Sequence, residues 1–151
     1  MEYFIYLVPV FAIIGLIVMA FKVKWVIKQD AGDKNMQELA SHIKEGALAF
    51  LSAEYRVLII FVVIAGALLA VISSFIESTS YFIVIAFVIG AFFSALAGNI
   101  GMRIATEANV RTTQAARTSL PDALKVSFTG GMVMGLGVAG LAVFGLSVIF
   151  I

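Results

Sequence analysis

The sequence has no cysteine, a single histidine and only two prolines among its 151 residues. Without cysteine the chain forms no disulfide, offers no thiol nucleophile and has no thiolate to hold a metal. The single histidine, His42, excludes a histidine cluster. Charged residues are also scarce at 13%, which is about half their share in a soluble domain. The net charge of +1 gives no reason to expect a nucleic-acid partner.

Hydrophobic residues, by contrast, make up 62% of the chain. A water-soluble fold of this size needs more polar surface than the remainder can provide. Intrinsic disorder is excluded as well, because it requires low hydrophobicity and high net charge. The composition therefore predicts an integral membrane protein that contacts the lipid bilayer.

Four apolar segments are long enough to cross the bilayer, which takes about 20 residues of helix. They cover residues 3–21, 57–75, 81–102 and 126–151, and none contains Asp, Glu, Lys, Arg or His. The apolar runs are continuous rather than alternating, which favours helices over a transmembrane barrel. We therefore predict an all-α integral membrane fold, in which residues 1–151 form a single region of four transmembrane helices.

The charges predict the orientation of these spans. All ten Lys and Arg residues fall in the connecting segments 22–56 and 103–125, and none precedes span one or joins spans two and three. The positive-inside rule then places both segments in the cytoplasm and both termini outside, in a multi-pass protein of the cell membrane. Span one follows an acidic start, Met1-Glu2, and precedes its lysines, which is the wrong polarity for a cleaved signal peptide.

Both connecting segments contain helical patterns. Apolar residues recur at helical spacing from Met36 to Leu51, which predicts an amphipathic helix that continues into span two. That helix could lie at the membrane interface or pack on neighbouring helices. Residues 103–117 are rich in alanine and predict a helical continuation of span three, and Ser119 is a plausible N-cap for the next helix.

Small residues at four-residue steps predict close helix packing in spans two to four. The helix-packing candidates are Gly66, Ala70, Ser74, Gly90, Ser94, Gly98, Gly131 and Gly135. Residues 135–140 also match the pattern G-x-G-x-x-G, but they lie inside an apolar run with no preceding strand. Helix packing therefore explains these glycines better than nucleotide binding does.

No acid–base pair, nucleophile triad or phosphate loop is recognisable, and no ionisable group lies at membrane depth. The residues alone therefore indicate a scaffold rather than an ion path, with no catalytic, cofactor-binding or metal-binding residue to name. Arg111 and Arg117 could bind a phosphate or anchor the chain to lipid headgroups, and the second interpretation is favoured. The expected cytoplasmic-face anchors are Arg103, Arg111, Arg117 and Lys125.

Two stretches resemble the membrane-bound, ion-translocating pyrophosphatases. The first runs from Ile43 through Glu45-Gly46-Ala47 to Phe50-Leu51 and then Glu54-Tyr55-Arg56. The second runs from Gly90 through Gly101-Met102, Ala105-Thr106, Ala108-Asn109 and Arg111-Thr112 to Arg117. It closes with Gly130-Gly131 and Val133-Met134-Gly135. The likeness covers the whole chain from about Tyr3 onward.

This resemblance implies the first four helices of a bundle of about sixteen. The whole protein would be a homodimeric proton or sodium pump that hydrolyses pyrophosphate with Mg²⁺. Its ligands and ion gate would lie in the remaining helices of the same polypeptide, so no catalytic residue carries over to this chain. We expect an N-terminal fragment of such a pump, itself inactive. The alternative is a small four-helix membrane subunit for interaction or assembly, without enzymatic activity.

Overall fold

The computed structural model describes residues 6–76 and 80–150, and over these ranges it contains helices and no strands. The helices are α1 (Leu7–Ile27), α2 (Lys34–Phe75), α3 (Phe82–Ala116) and α4 (Leu120–Phe150). Each is long and apolar enough to cross a membrane, which confirms the predicted all-α fold with four spans. The predicted span limits at residues 3 and 151, and most of the 77–80 turn, lie outside the described residues.

Two helices continue well beyond their apolar spans, as the sequence predicted. The amphipathic segment and span two form the single 42-residue helix α2, and span three continues to Ala116 in α3. At about 1.5 Å per residue, α2 is roughly 63 Å long, twice the thickness of the hydrocarbon. Both helices therefore project from the same end of the bundle. We call this the polar end, and it also holds the connections at residues 28–33 and 117–119.

The two connections at the polar end are short, and each ends in a side chain that caps the following helix. Gly32 adopts a positive φ of 81°, which allows the chain to turn between α1 and α2. Asp33 then caps α2, because its Oδ1 accepts a hydrogen bond of 2.9 Å from the Met36 amide. Ser119 caps α4 as predicted, since its Oγ accepts a hydrogen bond of 3.3 Å from the Asp122 amide.

The helices pack in the order α2–α3–α4–α1. The contacts join α2 to α3, α3 to α4 and α4 to α1, and α1 touches α3 less extensively. Among the described residues, α2 contacts neither α1 nor α4. The most extensive contact is between α3 and α4, and Val26 of α1 and Val133 of α4 are completely buried. The edge helix α2 therefore leaves much of its surface open to lipid, water or other protein segments.

Glycines of α4 allow the close approach of its two neighbours. A Cβ at Gly130 would lie 2.7 Å from the Ala108 Cβ of α3, and one at Gly140 would lie 2.8 Å from Leu16 Cδ2 of α1. Gly137 also faces α1, so two glycines of the G-x-G-x-x-G pattern serve helix packing. A Cβ at any of the predicted glycine positions would meet no described atom within 4 Å: Gly66, Gly90, Gly98, Gly131 and Gly135. Their packing against further helices stays a prediction.

Candidate functional site: an ion-paired cluster at the polar end

Three charged side chains at the polar end join three helices, and we call them the polar cluster: Lys44, Glu107 and Arg111. Glu107 of α3 accepts a hydrogen bond of 2.7 Å from Lys44 Nζ of α2 at one oxygen. Its other oxygen accepts a bond of 2.6 Å from Arg111, one turn further along α3. The carboxylate therefore lies between two cations from different helices and holds α2 against α3.

Arg111 extends the cluster to α1. Its Nη2 donates a hydrogen bond of 3.2 Å to the backbone carbonyl of Ile27, the last residue of α1. The last four carbonyls of a helix have no partner within the helix, and they form the negative end of its dipole. A guanidinium is well suited to both features because it is always charged and has five donors. Arg111 thus fixes the end of α1 to α3.

The cluster is half withdrawn from solvent, which makes its contacts stronger than those of surface ion pairs. The Arg111 side chain is only 11% exposed and that of Glu107 is 26% exposed. The hydrogen bond from Lys44 lowers the pKa of the Glu107 carboxyl below its usual 4.5, and Arg111 lowers it further against the opposing effect of burial. Glu107 is therefore ionised at neutral pH, as its two partners require.

A second set of contacts ties the α1–α2 connection to the last turn of α3. The Asp33 carboxylate accepts a hydrogen bond of 3.1 Å from Arg117, and Asp30 accepts one of 3.0 Å from Gln114. The Met36 amide, followed by Arg117, lowers the pKa of Asp33 below its usual 3.8. Asp33 therefore both caps α2 and pairs with α3, which connects the start of one helix to the end of another.

These two carboxyls predict a loss of stability in acid. Because each pKa is lower in the folded chain than in the unfolded chain, the two ionised carboxylates stabilise the folded state above about pH 4.5. This stabilisation is lost as the pH falls through the lowered pKa values of Glu107 and Asp33 in the folded chain. We expect the melting temperature in detergent to change little between pH 7 and 5, and to drop below about pH 4.5. A double variant, E107Q with D33N, should start lower and lose much of this acid dependence. An unchanged acid profile would contradict the assignment.

The four expected anchors all lie at the polar end, in different surroundings. Arg111 and Arg117 pair with carboxylates as described above, whereas Arg103 is exposed and bonds to Asn99 Oδ1 at 2.8 Å. The Lys125 ammonium lies 5.5 Å from the centre of the Trp25 ring, which connects the start of α4 to α1. Contact of these side chains with lipid headgroups stays a prediction.

The polar cluster is suited to holding helices together. Its carboxylate is shared by two cations, so Glu107 has no oxygen free of a cationic partner. Over residues 6–76 and 80–150, no group of three histidine or acidic side chains that could hold a metal ion is found. Because both Glu107 oxygens are paired with cations, the cluster offers no free carboxylate oxygen to the Mg²⁺ that the resemblance implies. What the geometry supplies is an electrostatic connection between α1, α2 and α3.

Sequence reasoning named Arg111 but missed its partners. The spacing of Glu107 and Arg111 by four residues is a recognisable helix pair, and this signal could have indicated the intrahelical bond. The Ile27 carbonyl lies 84 residues away from Arg111 and leaves no trace in the side-chain pattern. The sequence pattern also gives no role to Tyr55, whose hydroxyl donates a hydrogen bond of 2.8 Å to the Ala95 carbonyl of α3.

Comparison with known proteins gives a consistent family. The profile of the family described as inorganic H⁺ pyrophosphatase matches residues 13–151. The K⁺-insensitive pyrophosphate-energized proton pump 2 of Moorella thermoacetica is 41% identical over 144 residues, covering 95% of this chain and 20% of that protein. The K⁺-insensitive pyrophosphate-energized proton pump of Methanosarcina mazei is 42% identical over 151 residues, covering 100% of this chain and 22% of that protein.

A sodium pump is similar to the same residues. The K⁺-stimulated pyrophosphate-energized sodium pump of Thermotoga maritima is 36% identical over 151 residues, covering 97% of this chain and 20% of that protein. The chain thus spans about a fifth of the length of the relatives it matches. Proton and sodium pumps both match over nearly all of it.

Proposed function

This chain belongs to the inorganic H⁺ pyrophosphatase family, and we propose that it forms the N-terminal part of a pyrophosphate-energised ion pump. The observation that carries this proposal is the match of 42% identity over the full chain to a pyrophosphate-energized proton pump. The four apolar helices make it a multi-pass membrane protein, in agreement with a pump. The whole polypeptide would hydrolyse pyrophosphate and move H⁺ or Na⁺ out of the cell.

We further propose that the polar end faces the cytoplasm of a cell-membrane pump, with both termini outside. The cations of this end, and their absence between spans two and three, support this orientation. The Mg²⁺ and pyrophosphate ligands would then come from the remaining helices, and two such polypeptides would form a homodimer. In the pump, bound Mg²⁺ would neutralise the charge of pyrophosphate.

The role proposed for this chain within the pump is structural. Its ten Lys and Arg residues lie in the two segments that form the polar end, and the apolar spans contain no Asp, Glu, Lys, Arg or His. Ion-conducting helices normally require an ionisable residue at membrane depth, which favours a supporting position for these four. The polar cluster would keep α1, α2 and α3 in register, so that the remaining helices assemble against a fixed surface.

The proposal is tested by transport measurements on the full-length protein. Pyrophosphate and Mg²⁺ are added to inside-out membrane vesicles, and internal acidification and ²²Na⁺ uptake are followed separately. We expect one of the two ions to accumulate only when pyrophosphate is present, and an ionophore for that ion should abolish the gradient. A full-length protein that moves neither ion while remaining folded would refute the proposal. A stable complex with an unrelated membrane protein would then favour the assembly subunit.

A further inference from the structure

The part of α2 beyond its apolar span carries an unpartnered hydrophobic surface. Leu39, Ile43 and Phe50 are 63%, 49% and 59% exposed, respectively. Successive residues of a helix turn by about 100°, so these three side chains lie within about 40° of one another. We call this surface the α2 face, and it includes Gly46, which lies between Ile43 and Phe50. Ile43, Gly46 and Phe50 belong to the first of the two stretches that resemble the pyrophosphatases.

The α2 face lies at the level of charged groups rather than of lipid tails. Ile43 directly precedes Lys44, whose ammonium pairs with Glu107 in the polar cluster. Ile43 also lies about 21 Å along the helix from the start of the apolar span at residue 57. Placing this part of α2 in hydrocarbon would bury several ionisable side chains, which is costly. Exposed Leu39 and Ile43 are therefore unusual outside a bilayer and indicate a protein contact.

The α2 face borders a shallow groove against α3. Leu39 and Ile43 form one wall of this groove, and Val110 and Thr113 of α3 contribute to the other. The groove has a volume of about 140 Å³, enough for one or two side chains of a partner. The polar cluster lies on the other side of the α2–α3 contact, with Gln37 and Ser41 beside it. The two sides of this contact thus differ sharply in polarity.

Gly46 is the second sign of a missing neighbour. A Cβ placed there would meet no described atom within 4 Å, so no part of the described chain requires a glycine at this position. A glycine inside a helix is destabilising relative to alanine, because it loses more backbone freedom on folding. A second helix crossing at Gly46 would explain it, because a missing side chain lets two backbones approach closely.

The spacing of the α2 face fits a helix as its partner. Met36, Leu39, Ile43, Gly46 and Phe50 follow one another at intervals of three and four residues. This is the a/d pattern by which one helix receives the side chains of another. The neighbouring side of α2 is already occupied by α3, against which Leu51 is buried and Tyr55 is hydrogen-bonded. A further helix therefore has an open position beside both.

We propose that the α2 face binds an amphipathic α-helix from the remainder of the same polypeptide, on the side of the membrane that holds the polar cluster. This inference rests on the proposed function, because the occupant comes from the part of the pump beyond residue 151. The relatives are long enough to contain such a helix, because this chain corresponds to only about a fifth of their length. An apolar stripe at a/d spacing would face Leu39, Ile43 and Phe50 and cover the groove.

The absence of cysteine from these 151 residues allows a direct test by thiol labelling. L39C and I43C are introduced singly into this chain and into the full-length protein, in permeabilised membranes. The rate of maleimide labelling at each site is read by mass spectrometry of the peptide. The matched controls are E38C and E45C, which are exposed and lie about 100–160° around the helix from Leu39 and Ile43.

We expect L39C and I43C to be labelled about tenfold more slowly, or slower still, in the full-length protein than in residues 1–151, because a covered thiol reacts only on local opening. The controls should react equally in both. Equal labelling of all four sites would overturn the proposal. Slow labelling of L39C and I43C already in residues 1–151 would also overturn the proposal, because lipid or a second copy of the chain would then cover the α2 face. A second copy is distinguished from lipid by the loss of protection when the protein is diluted.

Two further measurements separate this proposal from the proposed function. Pyrophosphate hydrolysis is measured on the same full-length membranes, so an active pump with unprotected thiols refutes the docking contact alone. Protected thiols in a protein without hydrolysis would instead refute the function alone. G46L should leave the labelling controls and yield of residues 1–151 unchanged, and restore fast labelling of L39C in the full-length protein. Continued protection with leucine at position 46 would contradict a crossing at that glycine.

Discussion

Replacing Arg111 with alanine is expected to lower the folded yield of the full-length protein strongly, with little effect on pyrophosphate affinity. The substitution removes the only side chain that joins the Ile27 carbonyl to Glu107 within the described ranges, and leaves a half-buried carboxylate with one cation instead of two. Breaking a partly buried ion pair of this kind costs about 2–4 kcal/mol. The loss should appear as a lower melting temperature in detergent and less protein in the membrane.

Arg103 provides the control for this substitution. Its side chain is exposed and, among the residues that the structure describes, bonds only to Asn99 of its own helix, so R103A should change the melting temperature little. R111K should recover part of the stability, because lysine keeps the charge but cannot reach Glu107 and Ile27 with a planar fork. A normal yield of R111A together with a large, selective loss of pyrophosphate affinity would contradict a structural role for Arg111.

Replacing Gly130 with alanine is expected to have the second large effect. The added methyl group would lie 2.7 Å from the Ala108 Cβ, and neither atom can rotate away because both are fixed to helix backbones. α3 and α4 would have to separate along their extensive contact, at a cost of about 1–3 kcal/mol. The melting temperature in detergent should fall accordingly.

The neighbouring glycine makes this test specific. A Cβ at Gly131 would meet no described atom within 4 Å, so G131A should be neutral in this chain, or slightly stabilising because alanine favours the helix. In the full-length protein the same substitution reports on the predicted contact of Gly131 with a further helix. Equal effects of G130A and G131A in residues 1–151 would show that the α3–α4 contact is not as close as described.

Much of the fold was predictable because its signals are local. Continuous apolar runs without charge predict membrane helices directly, and the helical spacing from Met36 to Leu51 predicts that α2 extends beyond its span. The start of α4 was also predictable from the sequence, because Ser119 followed by Pro121 and Asp122 is typical of a capped helix start. Each of these features depends on residues within a few turns of one another.

The packing order was not predictable, for a physical reason. Small residues occur on several faces of each helix, and the sequence does not say which face meets which neighbour. Gly130, Gly137 and Gly140 approach other helices within this chain, whereas the singled-out Gly131 and Gly135 face open space. In the same way, the bond from Arg111 to the Ile27 carbonyl uses a group that every residue carries. Such contacts appear only when the helices are placed in space.

Pyrophosphate hydrolysis by two versions of the protein tests most directly whether this chain is the supporting part of a pyrophosphate-energised pump. Residues 1–151 and the full-length polypeptide are expressed in the same membranes, and phosphate release is followed with and without Mg²⁺. We expect Mg²⁺-dependent hydrolysis by the full-length protein and none by residues 1–151 above empty membranes. Hydrolysis by residues 1–151 alone, or its absence from a folded full-length protein, would contradict this assignment.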